Sequence, residues 1–266
     1  MHGMEVDYYK KLFQTIGNII ELIEKDDIPK YLLFLENAFP YMDNYNYHKG
    51  MKGIIQELKC LLKTKNIGTD SDRALLLDFQ AALETKPEKA IKLEKDALAQ
   101  IENITADNAR LVSNLHANLG GLYRMNGHPD LAREHMEKSI SLLDQFNLLH
   151  INDSIPQIAN YAMFLTEQQE PERGISELQK LSGIIKEYHS DDCLDYAKVQ
   201  ETLGTIYLMT ANLPQAKTHF KRAFKIYEKI WADEPEMIEA KYQEIQELYP
   251  QIGFCIGKNL SGLLTK

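Results

Sequence analysis

The sequence predicts an all-α fold, a right-handed superhelix (α-solenoid) of stacked antiparallel helical hairpins. First, the chain resembles itself at a fixed step of 42 residues, which leads from Gly120 to Ala162 and on to Gly204. Second, apolar residues within each repeat recur at the three-to-four-residue period of an amphipathic helix. Third, no strand-like alternation of any length appears, and the chain has only 14 glycines and 9 prolines. Self-similarity of this period indicates a stacked-repeat protein.

Small residues mark the places where the two helices of each hairpin should cross. Twelve positions after the small residue of each first helix comes a second small residue: Ala132, Gly174 and Ala216. A hydrogen atom or a methyl group at such a position lets two helix backbones approach closely enough for larger neighbours to interlock. We therefore expect each pair to be a tightly crossed hairpin.

Turn residues recur at the same step as the small residues. Pro87, Pro129 and Pro171 are in phase, and Pro214 is one residue out of phase. Proline is favoured at the first position of a helix, and glycine at a left-handed helix end. Gly127 and Pro129 therefore predict the end of one helix and the start of the next.

The third repeat resembles the tetratricopeptide repeat (TPR) family at six positions. They are Leu203, Gly204 and Tyr207 in its first helix, and Ala216, Phe220 and Ala223 in its second. The resemblance covers roughly residues 71–231. The usual repeat of this family has about 34 residues, so the longer step here is similar to that of kinesin light chains and bacterial peptide-sensing regulators. The resemblance implies that the first helix of each pair lines a concave groove.

We expect three parts along the chain. Residues 1–66 form N-terminal helices, including an apolar stripe over 7–25 and a hairpin over 29–38 and 48–63, and whether they are a degenerate repeat stays open. TPR-like hairpins follow at about 71–104, 113–147, 155–188 and 196–231. Residues 234–266 form capping helices, a charged one over 235–248 and a more apolar one from Gln251.

Polar residues follow the predicted groove at one position of each first helix. Asn118, Asn160 and Thr202 each stand two residues before the small residue. A side-chain amide offers both a donor and an acceptor, so it can hold a peptide backbone. In kinesin light chains and peptide-sensing regulators, asparagines at this position do so. By resemblance, Asn118 and Asn160 are backbone clamps and Thr202 is a weaker third, whereas the alternative is a solvated polar face.

Further groove residues lie before and after these positions. Asn114 and Lys198 stand four residues earlier in their helices, and Thr205 stands three residues after Thr202. Lys198 could pair with an acidic group of a ligand. Met125, Met163 and Met209 suggest an adaptable apolar floor, although methionines at helical spacing are more often core residues. The pattern of TPR domains that bind chaperone C-termini is incomplete here, which argues against that function.

A ridge of lysines occupies the second helix of the third repeat. Its members are Lys217, Lys221, Lys225 and Lys229, with Arg222 beside them. Like charges at steps of four repel one another by a few tenths of a kcal/mol per pair. An acidic partner is therefore expected, and the glutamates of the capping helix over 235–248 are one candidate. A solvated convex face remains the simpler interpretation.

Composition and motifs restrict the classes of function. The formal net charge of −9 argues against a general binder of nucleic acids or anionic membranes. Three widely separated cysteines predict neither a zinc site nor a disulfide framework. The chain shows no signal peptide and no apolar run long enough to cross a bilayer, so we expect a soluble cytoplasmic protein. Without a zinc-helix, phosphate-loop or nucleophile-elbow motif, we expect no enzyme, metal or cofactor.

The favoured function is a scaffold that binds an extended peptide or a partner segment in the concave groove. One alternative is a peptide-responsive signalling regulator, although residues 1–65 show no evident DNA-binding module. A second is an architectural subunit of a larger complex or of a homo-oligomer. The identity of the partner does not follow from the sequence.

Overall fold

The computed structural model describes residues 32, 35, 48–151 and 154–248, and this part of the chain is helical with no strand. Its ten helices are α1 His48–Lys65, α2 Asp70–Ala82, α3 Pro87–Leu98, α4 Ala109–Met125, α5 Pro129–Gln145, α6 Ser154–Glu167, α7 Pro171–Tyr188, α8 Leu194–Met209, α9 Leu213–Ile230 and α10 Pro235–Leu248. The predicted all-α class of helical hairpins is confirmed.

The chain divides into two compact units, Met1–Ala132 and Arg133–Lys266, and the division falls within α5. The predicted stripe over 7–25, the helix over 29–38 and the helix from Gln251 lie outside the described residues. The helices described above lie close to the predicted hairpin ranges, while the proposed assignment to N-terminal, repeat and capping segments stays a prediction.

In the first unit, α1 packs against α2, and α2 and α3 form an antiparallel hairpin that α4 contacts. The core between α1 and α2 is built from buried apolar residues: Leu32, Leu35, Met51, Ile55, Leu58, Leu62, Leu76, Phe79 and Leu83. A smaller core joins α2, α3 and α4 through Ala74, Ala97 and Leu115. A capping box of Thr69 and Asp72 starts α2 at Asp70, close to the start of the hairpin predicted from about residue 71.

In the second unit, α6 pairs with α7 and α8 pairs with α9, and α8 also contacts both helices of the preceding hairpin. Their buried faces form one continuous core, whose largest fully buried side chains include Leu178, Phe220 and Tyr227. The helix α10 packs on α9. Stacked hairpins therefore share a single apolar interior within this unit, as repeat proteins do.

A left-handed residue follows α4, α6 and α8 at matching positions, and a proline stands at the first or second residue of the next helix. Helices α3, α5 and α7 each begin on a proline, and Pro214 is the second residue of α9. Gly127, Gln169 and Ala211, each 42 residues apart, adopt φ values of +73°, +64° and +59°. The following amide donates to the carbonyl five residues earlier in each case, at 2.9, 2.8 and 2.7 Å. The predicted left-handed end at Gly127 is confirmed, and the same geometry recurs without glycine.

The close crossing predicted from small residues is present in the second unit. A Cβ atom placed on Gly174 of α7 would lie 2.6 Å from the carbonyl oxygen of Ala162 on α6. A Cβ atom on Gly204 of α8 would lie 2.9 Å from the ring of Phe220 on α9. Both glycines are therefore required by the distance between paired helices rather than by a turn.

Candidate functional site

The exposed side of α6 and α8 in the second unit carries four of the six predicted site residues. The buried neighbours Ala162 on α6 and Gly204 on α8 face the second helices of their hairpins. This orientation leaves Asn160 exposed and Thr202 half-exposed on two helices that contact each other. The 42-residue step therefore places an amide and a hydroxyl at equivalent positions of neighbouring helices.

Asn160 is the candidate whose polar group is most available to a ligand. Its side chain is exposed, and the described part of the chain offers it no hydrogen-bond partner. An unpaired amide on a rigid helix can donate to a peptide carbonyl and accept from a peptide N–H at the same time. This residue therefore fits the predicted role of a backbone clamp.

The two threonines among the candidates on α8 already donate hydrogen bonds within their own helix. The Thr202 hydroxyl donates to the carbonyl of Lys198 at 3.0 Å, and the Thr205 hydroxyl donates to the carbonyl of Glu201 at 3.1 Å. Each hydroxyl oxygen can still accept a hydrogen bond. Lys198 is exposed, and its ammonium lies 3.7 Å from the half-buried Asp195 carboxylate, a distance that indicates a weak pair. Lys198 thus stays able to exchange Asp195 for an acidic group of a ligand.

Asn114 and Asn118 lie on α4 of the first unit, where Asn118 already has internal partners. Its amide nitrogen donates to Oδ1 of Asp78 on α2 at 2.8 Å, and it also hydrogen-bonds to Glu94 of α3. Asn114 is half-buried and likewise has contacts of its own. Asn118 is therefore part of an internal polar cluster as well as a candidate ligand residue.

Asp78 and Glu94 are the site residues that the sequence reading did not single out. Glu94 is only 2% exposed, and its Oε2 atom has no hydrogen-bond partner among the described residues. Burial, and then the charge of Asp78 and the hydrogen bond to it, raise the pKa of Glu94 to about 10. The repeat period could have identified this pair. A step of 42 residues back from Gly120 leads to Asp78, and the same step back from Met136 leads to Glu94.

The lysine ridge is exposed along α9, and the internal acidic partner that we observe is not on the capping helix. Lys229 forms an ion pair with Asp192, which precedes α8. The carboxyl of Asp192 has a lowered pKa because it accepts a hydrogen bond from Lys229. On α10, Glu244 pairs instead with Lys241 of the same helix. The capping glutamates, which were one candidate for this partner, form no ion pair with the ridge among the ion pairs of the described residues.

The methionines differ in their environments. Met163 is half-buried and packs against the core of the second unit. Met125 and Met209 are exposed at the last residues of α4 and α8. Met163 is therefore a residue at the edge of the core, whereas the apolar side chains of Met125 and Met209 are exposed to solvent.

No group of three or more histidine, cysteine, aspartate or glutamate side chains among the described residues is placed to hold a metal ion. None of the described helices is long and apolar enough to span a membrane.

The sequence and structure are similar to known repeat proteins. Residues 154–229 match the family model described as tetratricopeptide repeat. A search of curated proteins found no similar sequence. The fold resembles BtubC (BKLC) from P. vanneervenii, with 17% identity, a TM-score of 0.51, and coverage of 76% of this chain and 74% of that chain.

A second solved structure is more similar in fold. It contains the nearly identical TPR-like repeats of a putative kinesin light chain from Podosopora anserina. The identity is 13%, the TM-score is 0.58, and the match covers 78% of this chain and 98% of that chain. The resemblance to long TPR repeats is therefore confirmed at the level of fold.

Proposed function

We propose that this chain, which carries tetratricopeptide repeats over residues 154–229, is a scaffold that binds an extended peptide or a partner segment. Repeat folds of this kind generally mediate protein–protein interaction. The observation that carries the finer proposal is the exposed, unpartnered amide of Asn160 beside Thr202 on the neighbouring first helix.

The chemistry of this surface suits a peptide backbone rather than one particular side chain. Asn160 supplies a donor and an acceptor, and the oxygens of Thr202 and Thr205 supply acceptors for backbone N–H groups. Lys198 adds a positive charge at one end of the row, which favours a ligand with an acidic side chain or a C-terminal carboxylate. Asn114 and Asn118 on α4 of the first unit stay predicted peptide-binding residues of that unit.

The cellular setting that fits this function is the cytoplasm. The two cysteines that the structure describes, Cys60 and Cys193, are free thiols. The sulfur of Cys193 accepts from the amide of Tyr196 and caps α8, a role that it performs in the reduced state. A reducing compartment is where unpaired thiols persist.

The test is a peptide-library selection on the wild-type protein, the Asn160→Ala variant and the Asn118→Ala, Asn160→Ala double variant. Affinities of recovered peptides are then measured by fluorescence anisotropy. Each lost amide contact should cost about 1 kcal/mol, or roughly fivefold in the dissociation constant. The matched control is Gln179→Ala, which removes an exposed amide from the second helix of the same hairpin.

The proposal requires that wild type and the Gln179→Ala control bind the same peptides with equal affinity. If no peptide is recovered, or if Asn160→Ala binds as tightly as wild type, the backbone clamp is wrong. Light scattering over a range of protein concentrations then tests the architectural alternative, in which the chain associates with itself.

A further inference from the structure

A cavity of about 420 Å³ lies between α1 and α2 in the first unit, beside the end of α3. Its volume falls within the range of about 300–1,000 Å³ that ligand-binding clefts occupy. The described residues that line it are three cations, two side-chain amides and three leucines. A cavity of this size and composition can hold a ligand that has both a charged and an apolar part.

The charges that line this cavity are all positive among the described residues. They belong to Lys59 and Lys63 on α1 and to Arg73 on α2. Three other cavities of the described residues each include at least one glutamate or aspartate. Because the whole chain has a formal net charge of −9, a lining with three cations and no described acid departs from the character of the chain and favours an anionic ligand.

The three cations are available to such a ligand. The Lys63 ammonium has neither an ion pair nor a hydrogen bond with the described residues. Lys59 donates to the neutral Oε1 atom of Gln80 at 3.1 Å. Arg73 lies 2.7 Å from Asp70, but these side chains are 44% and 56% exposed, and an exposed pair of this kind contributes little. The lysine charges are therefore not neutralised by a described ion pair, and the arginine is only weakly paired.

The floor of the cavity is apolar, whereas the cations are exposed at its rim. Leu62 of α1 and Leu76 of α2 belong to the buried core between these helices, and Leu77 is half-buried. An apolar group of a ligand that packs on these side chains is removed from water, which is favourable. The lining therefore matches a ligand in which carboxylates flank a large apolar group.

Two side-chain amides complete the lining. Asn66 is exposed in the loop after α1, and the half-buried Gln100 follows α3. The Gln100 amide nitrogen donates to the carbonyl of Asp96 at 3.4 Å, which leaves its amide oxygen without a described partner. An amide oxygen accepts from a peptide N–H, and an amide nitrogen donates to a peptide carbonyl. The cavity can therefore contact a peptide backbone as well as acidic side chains.

We propose that this cavity binds a segment of a protein partner in which acidic side chains flank a large apolar side chain. The apolar side chain packs on the three leucines, and the carboxylates pair with the Arg73 guanidinium and the two lysine ammonium groups. A guanidinium holds a carboxylate through two parallel hydrogen bonds, whereas an ammonium acts as a compact charge. The inference rests on the proposed function only in taking the partner to be a protein.

The test uses the blocked pentapeptide acetyl-Gly-Glu-Leu-Glu-Gly-amide and two analogues, one with glutamine for both glutamates and one with alanine for the leucine. Nuclear magnetic resonance of the full chain follows the side-chain amide signals of Asn66 and Gln100. The glutamate peptide should shift these signals in a saturable way. The glutamine analogue should bind roughly tenfold more weakly because it lacks the charges. The alanine analogue should lose a similar factor because it buries less apolar surface.

Variants separate a specific site from general electrostatics. Lys63→Gln and Arg73→Gln should each weaken binding of the glutamate peptide roughly fivefold. Arg73 also donates to the carbonyl of Gly68 at 3.2 Å, so Lys63→Gln is the variant that removes a charge without altering the loop between α1 and α2. The control is Lys92→Gln, which removes an exposed lysine of α3 that does not line the cavity. This control should bind the peptide as wild type does.

Several results would overturn the proposal. They are equal binding of the glutamate peptide and either analogue, unchanged binding by Lys63→Gln, and an equal loss of affinity in the Lys92→Gln control. Saturable shifts caused by inorganic phosphate but not by the glutamate peptide would assign the cavity to a small anion instead. The absence of any saturable shift up to the solubility of the peptide would also overturn the proposal. The selection on Asn160 tests a residue of the second unit, so either proposal can fail without the other.

Discussion

Gly174 lies so close to Ala162 that a methyl group on Gly174 would come within 2.6 Å of the Ala162 carbonyl oxygen. The obstacle is backbone, which cannot turn away as a flexible side chain can. The distance between α6 and α7 is therefore fixed by the absence of a side chain on Gly174.

Gly174→Ala should therefore lower the free energy of unfolding by about 2 kcal/mol, since overpacking outweighs the better helix propensity of alanine. The matched control is Gly183→Ala on the same helix, where a Cβ atom would meet nothing within 4 Å. That change should raise the free energy of unfolding by roughly 0.5–1 kcal/mol. Urea denaturation of the two variants measures both effects, and a similar sign for both would contradict the close crossing.

Left-handed helix ends give a second prediction, in which a substitution should stabilise the protein. Ala211 has a φ of +59°, and an alanine in this conformation costs roughly 1–2 kcal/mol. Ala211→Gly should therefore raise the free energy of unfolding by about 1 kcal/mol. Gly127→Ala should have the opposite effect, because Gly127 has a φ of +73° and open space around it. Thermal unfolding followed by circular dichroism tests the pair, and no change in Ala211→Gly would refute the assignment.

The left-handed helix ends could be predicted from the sequence only where a glycine marks them. Gly127 predicted such an end, but Gln169 and Ala211 adopt the same conformation although neither residue type favours it. Their conformation follows from the start of the next helix on Pro171 or beside Pro214, two to three residues later. The 42-residue period would have predicted the left-handed conformation of Gln169 and Ala211 from that of Gly127, where residue propensity does not.

The candidate site was predictable in part for a related reason. The repeat period predicted the positions of Asn160 and Thr202, because their buried neighbours determine which side of each helix is exposed. It did not predict that Asn118 has internal partners, since Asp78 is 40 residues away along the chain. That contact depends on the packing of α2 against α4. The packing could not be predicted, because α2 matches the family pattern poorly.

The buried carboxyl of Glu94 makes the stability of the first unit depend on pH. Burial, together with the charge of Asp78, raises the pKa of Glu94 from 4.5 to about 10. Between these values the folded state holds a proton that the unfolded state has lost, so the contribution to stability falls as pH rises through this window. Below pH 4.5 both states are protonated and the contribution is fully present.

Glu94→Gln should remove this dependence while keeping the shape of the side chain. We expect the variant to be more stable than wild type at about pH 9, with a smaller difference at about pH 5, in urea denaturation. Glu88→Gln is the control, since Glu88 is exposed on the same helix and should give a difference that does not grow with pH. A constant gap between wild type and Glu94→Gln at both pH values would show that Glu94 is ionised in the folded protein.

The ion pair of Glu201 and Lys241 joins α10 to the stacked hairpins of the second unit. The Lys241 ammonium lies 2.9 Å from Oε1 of Glu201, and the Tyr227 hydroxyl donates to Oε2 at 2.6 Å. The side chains of Glu201 and Lys241 are only 19% and 21% exposed. Burial opposes the charge of Lys241, but the hydrogen bond to Glu201 and the charge of Glu201 leave its pKa raised overall.

Lys241→Met should therefore lower the free energy of unfolding by about 1–3 kcal/mol. The change removes the ammonium that pairs with the largely buried Glu201 carboxylate and leaves it the hydrogen bond from Tyr227. Hydrogen exchange should lose protection over α10 before the rest of the unit. In a double-mutant cycle with Glu201→Gln, we expect a coupling energy of about 1 kcal/mol. Lys221→Met, which removes an exposed lysine from α9, should leave both readouts unchanged. A coupling energy near zero would mean that apolar packing of Ile238 and Ile245, rather than the ion pair, holds α10 in place.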